Sequence, residues 1–274
     1  MLKLMYITNR PEIAQIAERA GVNIIFIDLE IIGKEQRQGH LDTVISKHKM
    51  EDIATVKSKL KKAELLVRIN PFYEKTKQEV EQAIKNGADS IMLPMIKDEI
   101  EAKQLVEFIN GRCKIMLLIE RKEAVENIEK ILAIKGIDEI HIGLNDMYLS
   151  YKNKFMFEPL VNGTVEKICD VARKYNIPYG IGGISKIGTG DLPAEKIIIE
   201  HYRLKSNKVI LSRSFYNTKN NLKNEEIERI FNDGINEIRE YEEKVQKMPE
   251  EEWEENRQDI QTIINQIISY KNDN

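Results

Sequence analysis

Eight short apolar runs, separated by segments with helical spacing, are the strongest constraint on what this chain can fold into. They read LMYIT (4–8), NIIFIDLE (23–30), ELLVRIN (64–70), SIMLPMI (90–96), CKIMLLIE (113–120), EIHIGLND (139–146), YGIGGI (179–184) and KVILSRSF (208–215). Nearly continuous rather than alternating, they suit strands covered on both faces, as in a parallel sheet. Between them, PEIAQIAERAG, EKTKQEVEQAIKNG and DEIEAKQLVEFING have helical periodicity and stop at Gly21, Gly87 and Gly111, the residue type that best ends a helix. Strict alternation implies right-handed crossovers, and eight repeats favour closure. The expected fold is α/β, a TIM (β/α)8 barrel over residues 1–245 with a C-terminal helical extension over 246–274. No GxGxxG follows the first run, so a dinucleotide-binding sheet is not supported.

The length of 274 residues fits one such barrel, which needs roughly 250. A formal net charge of −3, with acids and bases interspersed, lacks the basic footprint of a nucleic-acid binder. Neither a signal peptide nor a membrane-length apolar run is seen, so the expectation is a cytoplasmic protein without a membrane partner. Cys113 and Cys169 lie in apolar strand and helix patterns and are read as buried free thiols. Two stretches depart from the alternation. Residues 31–50 form a long polar connection, and residues 224–274 carry more helix than the barrel needs. By about Val245 the eighth helix is complete, leaving an apolar stripe of Trp253, Ile260, Ile263, Ile264, Ile267 and Ile268. The preferred partner for that stripe is another subunit, making the protein a homo-oligomer; packing on the same barrel is the alternative.

Active sites of such barrels lie at the C-terminal ends of the strands, so the polar residues closing each run are the candidates. These are Asn9 and Arg10, Asp28 and Glu30, Arg68 and Asn70, Glu120 and Arg121, Asn145 and Asp146, and Arg213 with its neighbouring serines. Glu120 and Asp146 end runs on neighbouring strands, which stand about 4.8 Å apart. They could grip one hard cation, Mg²⁺ or Mn²⁺, or each could pair with an arginine or cap a helix. Arg68, beside such a cation, could hold a carboxylate or a developing enolate oxygen, or act as a counter-ion. Glu30, nearer the rim than Asp28, could hold a ligand or a water, while Asp28 fits an internal polar network. The glycine-rich run GIGGISKIGTGDLP (180–193) could cradle an anion or be a plain turn. Of the four histidines, His40 is the one placed near the mouth.

FIDLE (26–30), VRIN (67–70), GADSIMLPMI (87–96), LLIE (117–120) and GLNDMYLS (143–150) occur in this order. Together they resemble the HpcH/HpaI aldolase and citrate lyase β-subunit family of metal-dependent TIM barrels, over roughly residues 1–215. The resemblance implies that Glu120 and Asp146 bind the metal, that Arg68 contacts substrate oxygens, and that Gly143 and Asn145 border the substrate. It further implies carbon–carbon bond cleavage or formation through the enolate of pyruvate or a related small 2-oxo acid. One departure matters. After the glutamate of the second strand the aldolase branch places a histidine and the lyase branch an acid, where this chain has Ile31. The general acid or base is therefore unassigned and neither branch is claimed; Glu30 is one candidate, and the following segment offers Lys34, Arg37 and His40 as substitutes. Two other readings are a CoA-thioester lyase of the citrate or malyl type, and a retired barrel that binds or scaffolds.

Overall fold

The computed structural model describes residues 1–34, 46–212, 215–216 and 222–273. Eight parallel strands close into one barrel in sequence order, β1 to β8. They are β1 (Lys3–Ile7), β2 (Ile24–Asp28), β3 (Glu64–Arg68), β4 (Ser90–Leu93), β5 (Lys114–Ile119), β6 (Glu139–Ile142), β7 (Tyr179–Ile184) and β8 (Lys208–Leu211). The final pairing, β8 with β1, matches Leu4 to Val209 and seals the ring. Most strands are shorter than their apolar runs, because the polar tails of those runs turn away from the sheet as loops on one rim. Helices fill the crossovers. Gly21 and Gly87 end two of them at φ +107° and +102°, a conformation that costs any residue with a Cβ.

Strand side chains alternate between the two faces, and the two sets form two cores. Outward residues meet the helices in one large cluster that includes Ile25, Ile27, Leu65, Val67, Leu117 and Ile119. Inward residues Met5, Ile24, Phe26, Leu66, Met92, Met116 and Leu118 form a separate cluster that plugs the barrel. The next inward positions above that plug are Asp28, Arg68 and Glu120. The apolar pattern of each strand therefore carries its last polar residue to the mouth.

Chain ends are tied together. The helix Asn224–Val245 packs beside Pro11–Arg19, and its buried Glu242 accepts the backbone N–H of Leu2 at 2.6 Å. The last helix, Glu250–Asp273, lies along Ala194–Arg203 and touches Glu158–Val161. Ile260 and Ile264 are fully buried there, and Trp253, Ile263, Ile267 and Ile268 pack partly buried beside them. Asn256 donates to the Lys196 carbonyl at 3.1 Å, and Arg257 pairs with Glu166 at 3.0 Å. Helices of the same chain thus cover Ile260 and Ile264, as the alternative reading expects, while Trp253, Ile263, Ile267 and Ile268 keep part of their surface exposed. Both thiols are free, Cys169 buried and Cys113 half-buried. Burial pushes them up to about 12 and about 11, away from nucleophilic use. Among the described residues no helix is long and apolar enough to cross a membrane.

Because Ile264 is buried within its own chain, Ile264→Ala should cost about 2–4 kcal/mol. Urea unfolding at two protein concentrations tests this: the loss should be the same at both, whereas a stripe buried between subunits would make it concentration-dependent.

Candidate active site

Asp28 and Arg68 are register partners at the ends of β2 and β3. From that position the guanidinium grips the carboxylate in a fork, Nε to Oδ1 and Nη2 to Oδ2, both at 2.9 Å. The same guanidinium lies over the Phe26 ring, 5.3 Å from its centre. Lys34, buried just beyond β2, adds its amine to Asp28 Oδ2 at 2.8 Å and reaches Glu30 Oε2 at 3.3 Å. Arg68 Nε also stands 3.4 Å from Glu30. Burial opposes the charge on Asp28, yet Arg68 and Lys34 hold its carboxyl far below the usual range. Arg68 is likewise held in its charged form against burial by Asp28 and Glu30. Behind the pair, the Asp28 N–H donates to His48 Nδ1 at 3.0 Å. Asn70 caps the turn after β2, accepting from the N–H groups of Ile31 and Ile32 at 2.9 and 3.0 Å.

The opposite side of the mouth is organised differently. Glu120 follows β5 and is buried, and its Oε1 accepts the Met95 N–H at 2.9 Å. To present that N–H, Met95 adopts φ +56°, the left-handed region that side chains rarely enter. On the other flank stands Gly143, next to β6: a Cβ there would meet Glu120 Oε2 at 2.9 Å. The carboxylate thus has one oxygen committed to the backbone and the other packed against Gly143, where a Cβ would crowd it. Burial pushes its carboxyl well above the usual range, and the nearby Asp146 and Glu30 carboxylates push it further, with Arg68 opposing.

Asp146 is buried, but not where the sequence pattern puts it. β6 stops at Ile142, and Asp146 sits in the first turn of a short helix, Leu144–Ser150. The apolar run EIHI is a strand, whereas GLND opens a helix whose first turn favours an acid. Asn145, half-buried in the same turn, precedes it. Arg121, next to Glu120, turns outward and chelates Glu123 at 3.2 and 2.7 Å. Arg37, His40 and Arg213 lie outside the described residues. Asn9 donates to Asp52 at 2.8 Å and serves the helix after β2.

The structure therefore gathers Asp28, Glu30, Arg68, Glu120, Gly143 and Asp146 at one rim and adds three residues that sequence reasoning undervalued. Lys34 was one of several substitutes offered by a polar loop, yet it is buried on two carboxylates. His48 stands just before the helix Met50–Lys57 with nothing in its sequence context to mark its contact with Asp28, and Met95 carries no polar signal because it acts through its backbone. The glycine-rich run needs no anion. A Cβ at Gly180 would meet Lys208 Cγ at 2.3 Å and His141 Nδ1 at 2.5 Å, and the Gly188 N–H already donates to Glu195 at 2.9 Å.

Comparison with known proteins bears on the family and the fold. A family model described as HpcH/HpaI aldolase/citrate lyase matches residues 3–179. Among solved structures, the HpcH/HpaI aldolase from Desulfitobacterium hafniense DCB-2 is similar at TM-score 0.59 and 17% identity, covering 77% of this chain and 86% of that one. A citrate lyase from Burkholderia xenovorans LB400 gives 0.60 and 15%, over 84% and 77%. The citrate synthase SbnG gives 0.55 and 16%, over 77% and 85%. At these identities the structural likeness is one of fold. No curated protein sequence matches.

The buried, charge-crowded Glu120 should cost the folded protein stability. Its carboxyl is raised in the folded state, so the ionised form costs stability as pH rises from about 4.5 through the raised value. Glu120→Gln should therefore raise the melting temperature at pH 7.5 with chelator present, by a few degrees. The gain should shrink towards nothing near pH 4, where both states carry the proton; equal melting at pH 7.5 would contradict the assignment.

Proposed function

Because the chain belongs to the HpcH/HpaI aldolase/citrate lyase family, we propose that it is a carbon–carbon lyase or aldolase. It would act through the enolate of pyruvate or a related small 2-oxo acid, with Mg²⁺ or Mn²⁺ bound. The observation that carries the reading is the convergence of buried carboxylates at the mouth. Four buried carboxylates, Asp28, Glu30, Glu120 and Asp146, face two cationic side chains, Arg68 and Lys34, among the described residues. Burial and the nearby Asp146 and Glu30 carboxylates raise the Glu120 carboxyl, and a divalent cation between Glu120 and Asp146 would relieve that crowding.

The residues fit such an ion. Glu120 and Asp146 supply hard oxygen donors, and only a residue without a Cβ at Gly143 lets the buried Glu120 carboxylate lie there uncrowded. No group of three His, Cys, Asp or Glu suited to a metal occurs among the described residues, so two protein ligands would leave positions for a chelating substrate and water. When bound, the cation supplies Lewis acidity towards the carbonyl and carboxylate oxygens of a 2-oxo acid.

The chain's own groups would do the rest. Arg68 spends Nε and Nη2 on Asp28, leaving Nη1 without a hydrogen-bonded partner among the described residues. That nitrogen would donate to the oxygen where enolate charge develops, and Asp28 and Lys34 would keep the guanidinium in place. Gly143 and Asn145 would border the substrate. In the cleavage direction the bond to the carbon bearing the hydroxyl breaks. Its electron pair stays on the oxo-acid fragment as the enolate, and the hydroxyl proton leaves as the aldehyde forms. Glu30, at the rim and held by Lys34 and Arg68, is our choice for handling that proton, with His40 the second candidate.

Two measurements test the reading. Mn²⁺ titration followed by electron paramagnetic resonance should show one site, weakened at least about tenfold by Asp146→Asn. Proton exchange of the pyruvate methyl group in D₂O should require the cation and fall about a hundredfold in Arg68→Lys, with Mn²⁺ binding retained. Wild-type protein that binds Mn²⁺ yet never exchanges pyruvate protons would overturn the substrate assignment.

A further inference from the structure

His141 is a buried polar residue that the proposed chemistry leaves without a task. Its neighbours on β6, Ile140 and Ile142, face the helices, so His141 faces the barrel interior. Burial keeps the ring neutral, with Lys208 adding to the effect. A neutral imidazole has a single N–H to give. Nε2 stands 3.1 Å from the Gly182 carbonyl oxygen, which accepts it. Nδ1 takes no hydrogen bond among the described residues and lies over its register partner Gly180, where a Cβ would come within 2.5 Å. An apolar side chain would fill this place without the cost of a bare buried nitrogen. What histidine adds is the Nε2–H.

The carbonyl it holds belongs to an irregularity in the sheet. From Gly180 to Gly183 β7 advances three residues while β8 advances two, from Lys208 to Ile210. Gly182, inside that bulge, has φ +45°. Bulges of this kind re-aim neighbouring groups beside a site. Here the neighbour is Leu144: a Cβ at Gly182 would meet Leu144 Cδ1 at 2.9 Å. Leu144 is buried and begins the helix Leu144–Ser150, whose first turn carries Asp146. Just before it, Gly143 packs against Glu120 Oε2. The segment 143–146 therefore runs between the two carboxylates, and it rests on the β7 bulge.

Resting on the cation reading above, we propose that His141 is a positioning residue for the cation site. By holding the Gly182 carbonyl it fixes the bulge on which Leu144 rests, and with it the placement of Asp146 relative to Glu120. Glycine moves readily between positive and negative φ, so without a donor at 141 nothing in Gly182 itself keeps the bulge in this form.

The test is Mn²⁺ titration of the full chain, followed by electron paramagnetic resonance. His141→Leu keeps bulk and loses the donor, and should bind Mn²⁺ at least about tenfold more weakly than wild type. His141→Gln keeps an N–H at a similar reach and should stay within about threefold. Val56→Ala, on the helix Met50–Lys57 between β2 and β3 and so across the barrel, should lower the melting temperature and leave Mn²⁺ affinity unchanged. Should His141→Leu fail to fold, Gly182→Ala decides, since its Cβ presses on Leu144 and should weaken binding as well. In wild type, long-range proton–nitrogen spectra should show the His141 proton on Nε2. A proton on Nδ1 overturns the inference. So do wild-type affinity in His141→Leu or Gly182→Ala, a glutamine variant as weak as the leucine one, and an equal loss in Val56→Ala. Each of these leaves the cation reading intact; a wild type that binds no Mn²⁺ overturns both.

Discussion

Closing eight parallel strands into a ring forces every second side chain into a narrow interior, and the rest of the molecule follows from how that space is filled. Phe26, Leu66 and Leu118 occupy its middle. The next inward residue on each of those strands, Asp28, Arg68 or Glu120, has to emerge above them on the same rim. The site is thus a by-product of strand periodicity: a two-residue step past an apolar plug turns three separated sequence motifs into neighbours. Burial of these charges becomes tolerable because the sheet register sets Asp28 directly across from Arg68. The barrel supplies the partner without a loop having to find it.

The mouth then divides its carboxylates into two kinds. On the β2–β3 side two cations are present, and Asp28 is held firmly in the charged form. On the β5–β6 side Glu120 has a single backbone N–H, with Arg68 farther off, and burial drives its carboxyl upward. One carboxylate is thereby fixed as a structural anchor for the arginine, and the other is the one the proposed cation would hold. Environments that push like groups apart mark a division of chemical labour. The strained backbone of Met95 and the missing Cβ of Gly143 fit this division, since both act on the Glu120 carboxylate. Stability surrendered at a site of this kind is what a site arranged for binding, not for folding, is expected to show.

Much of this was legible in the sequence because it rests on period and position. Eight apolar runs gave the barrel, and the polar residue after each run gave Asp28, Arg68 and Glu120. Legibility failed where structure is set by something other than side-chain pattern. Asp146 follows an apolar strand, but Gly143 ends that strand early and a helix begins. Met95 acts through an N–H that every residue except proline owns, so its identity carries no signal. Lys34 looks solvated within GKEQRQGH, and only the ion pairs to Asp28 and Glu30 show it buried. The C-terminal stripe was recognised as apolar, but the sequence could not say which surface covers it, since helices 194–203 and 158–161 present their faces only in three dimensions.

The opposite end of the barrel sharpens the argument about function, because it too buries charge. Lys208, fully buried at the start of β8, pairs with Glu139, and Lys114 pairs with Glu64 at 2.6 Å. There each cation has one acid. Between the two ends His141 donates from Nε2 to the Gly182 carbonyl at 3.1 Å and is pushed down to about 3 by burial, so it adds no charge to either. Buried charge alone therefore does not distinguish a catalytic rim from a structural one in this barrel. The distinguishing feature is crowding: opposite charges pair at the N-terminal end, whereas at the C-terminal end Glu120 is buried beside the Asp146 and Glu30 carboxylates, which raise its carboxyl further. A fold under selection for stability alone would be expected to keep like charges apart at both ends. The crowding lies where the strands' C-termini open, the rim on which barrels of this architecture place their chemistry.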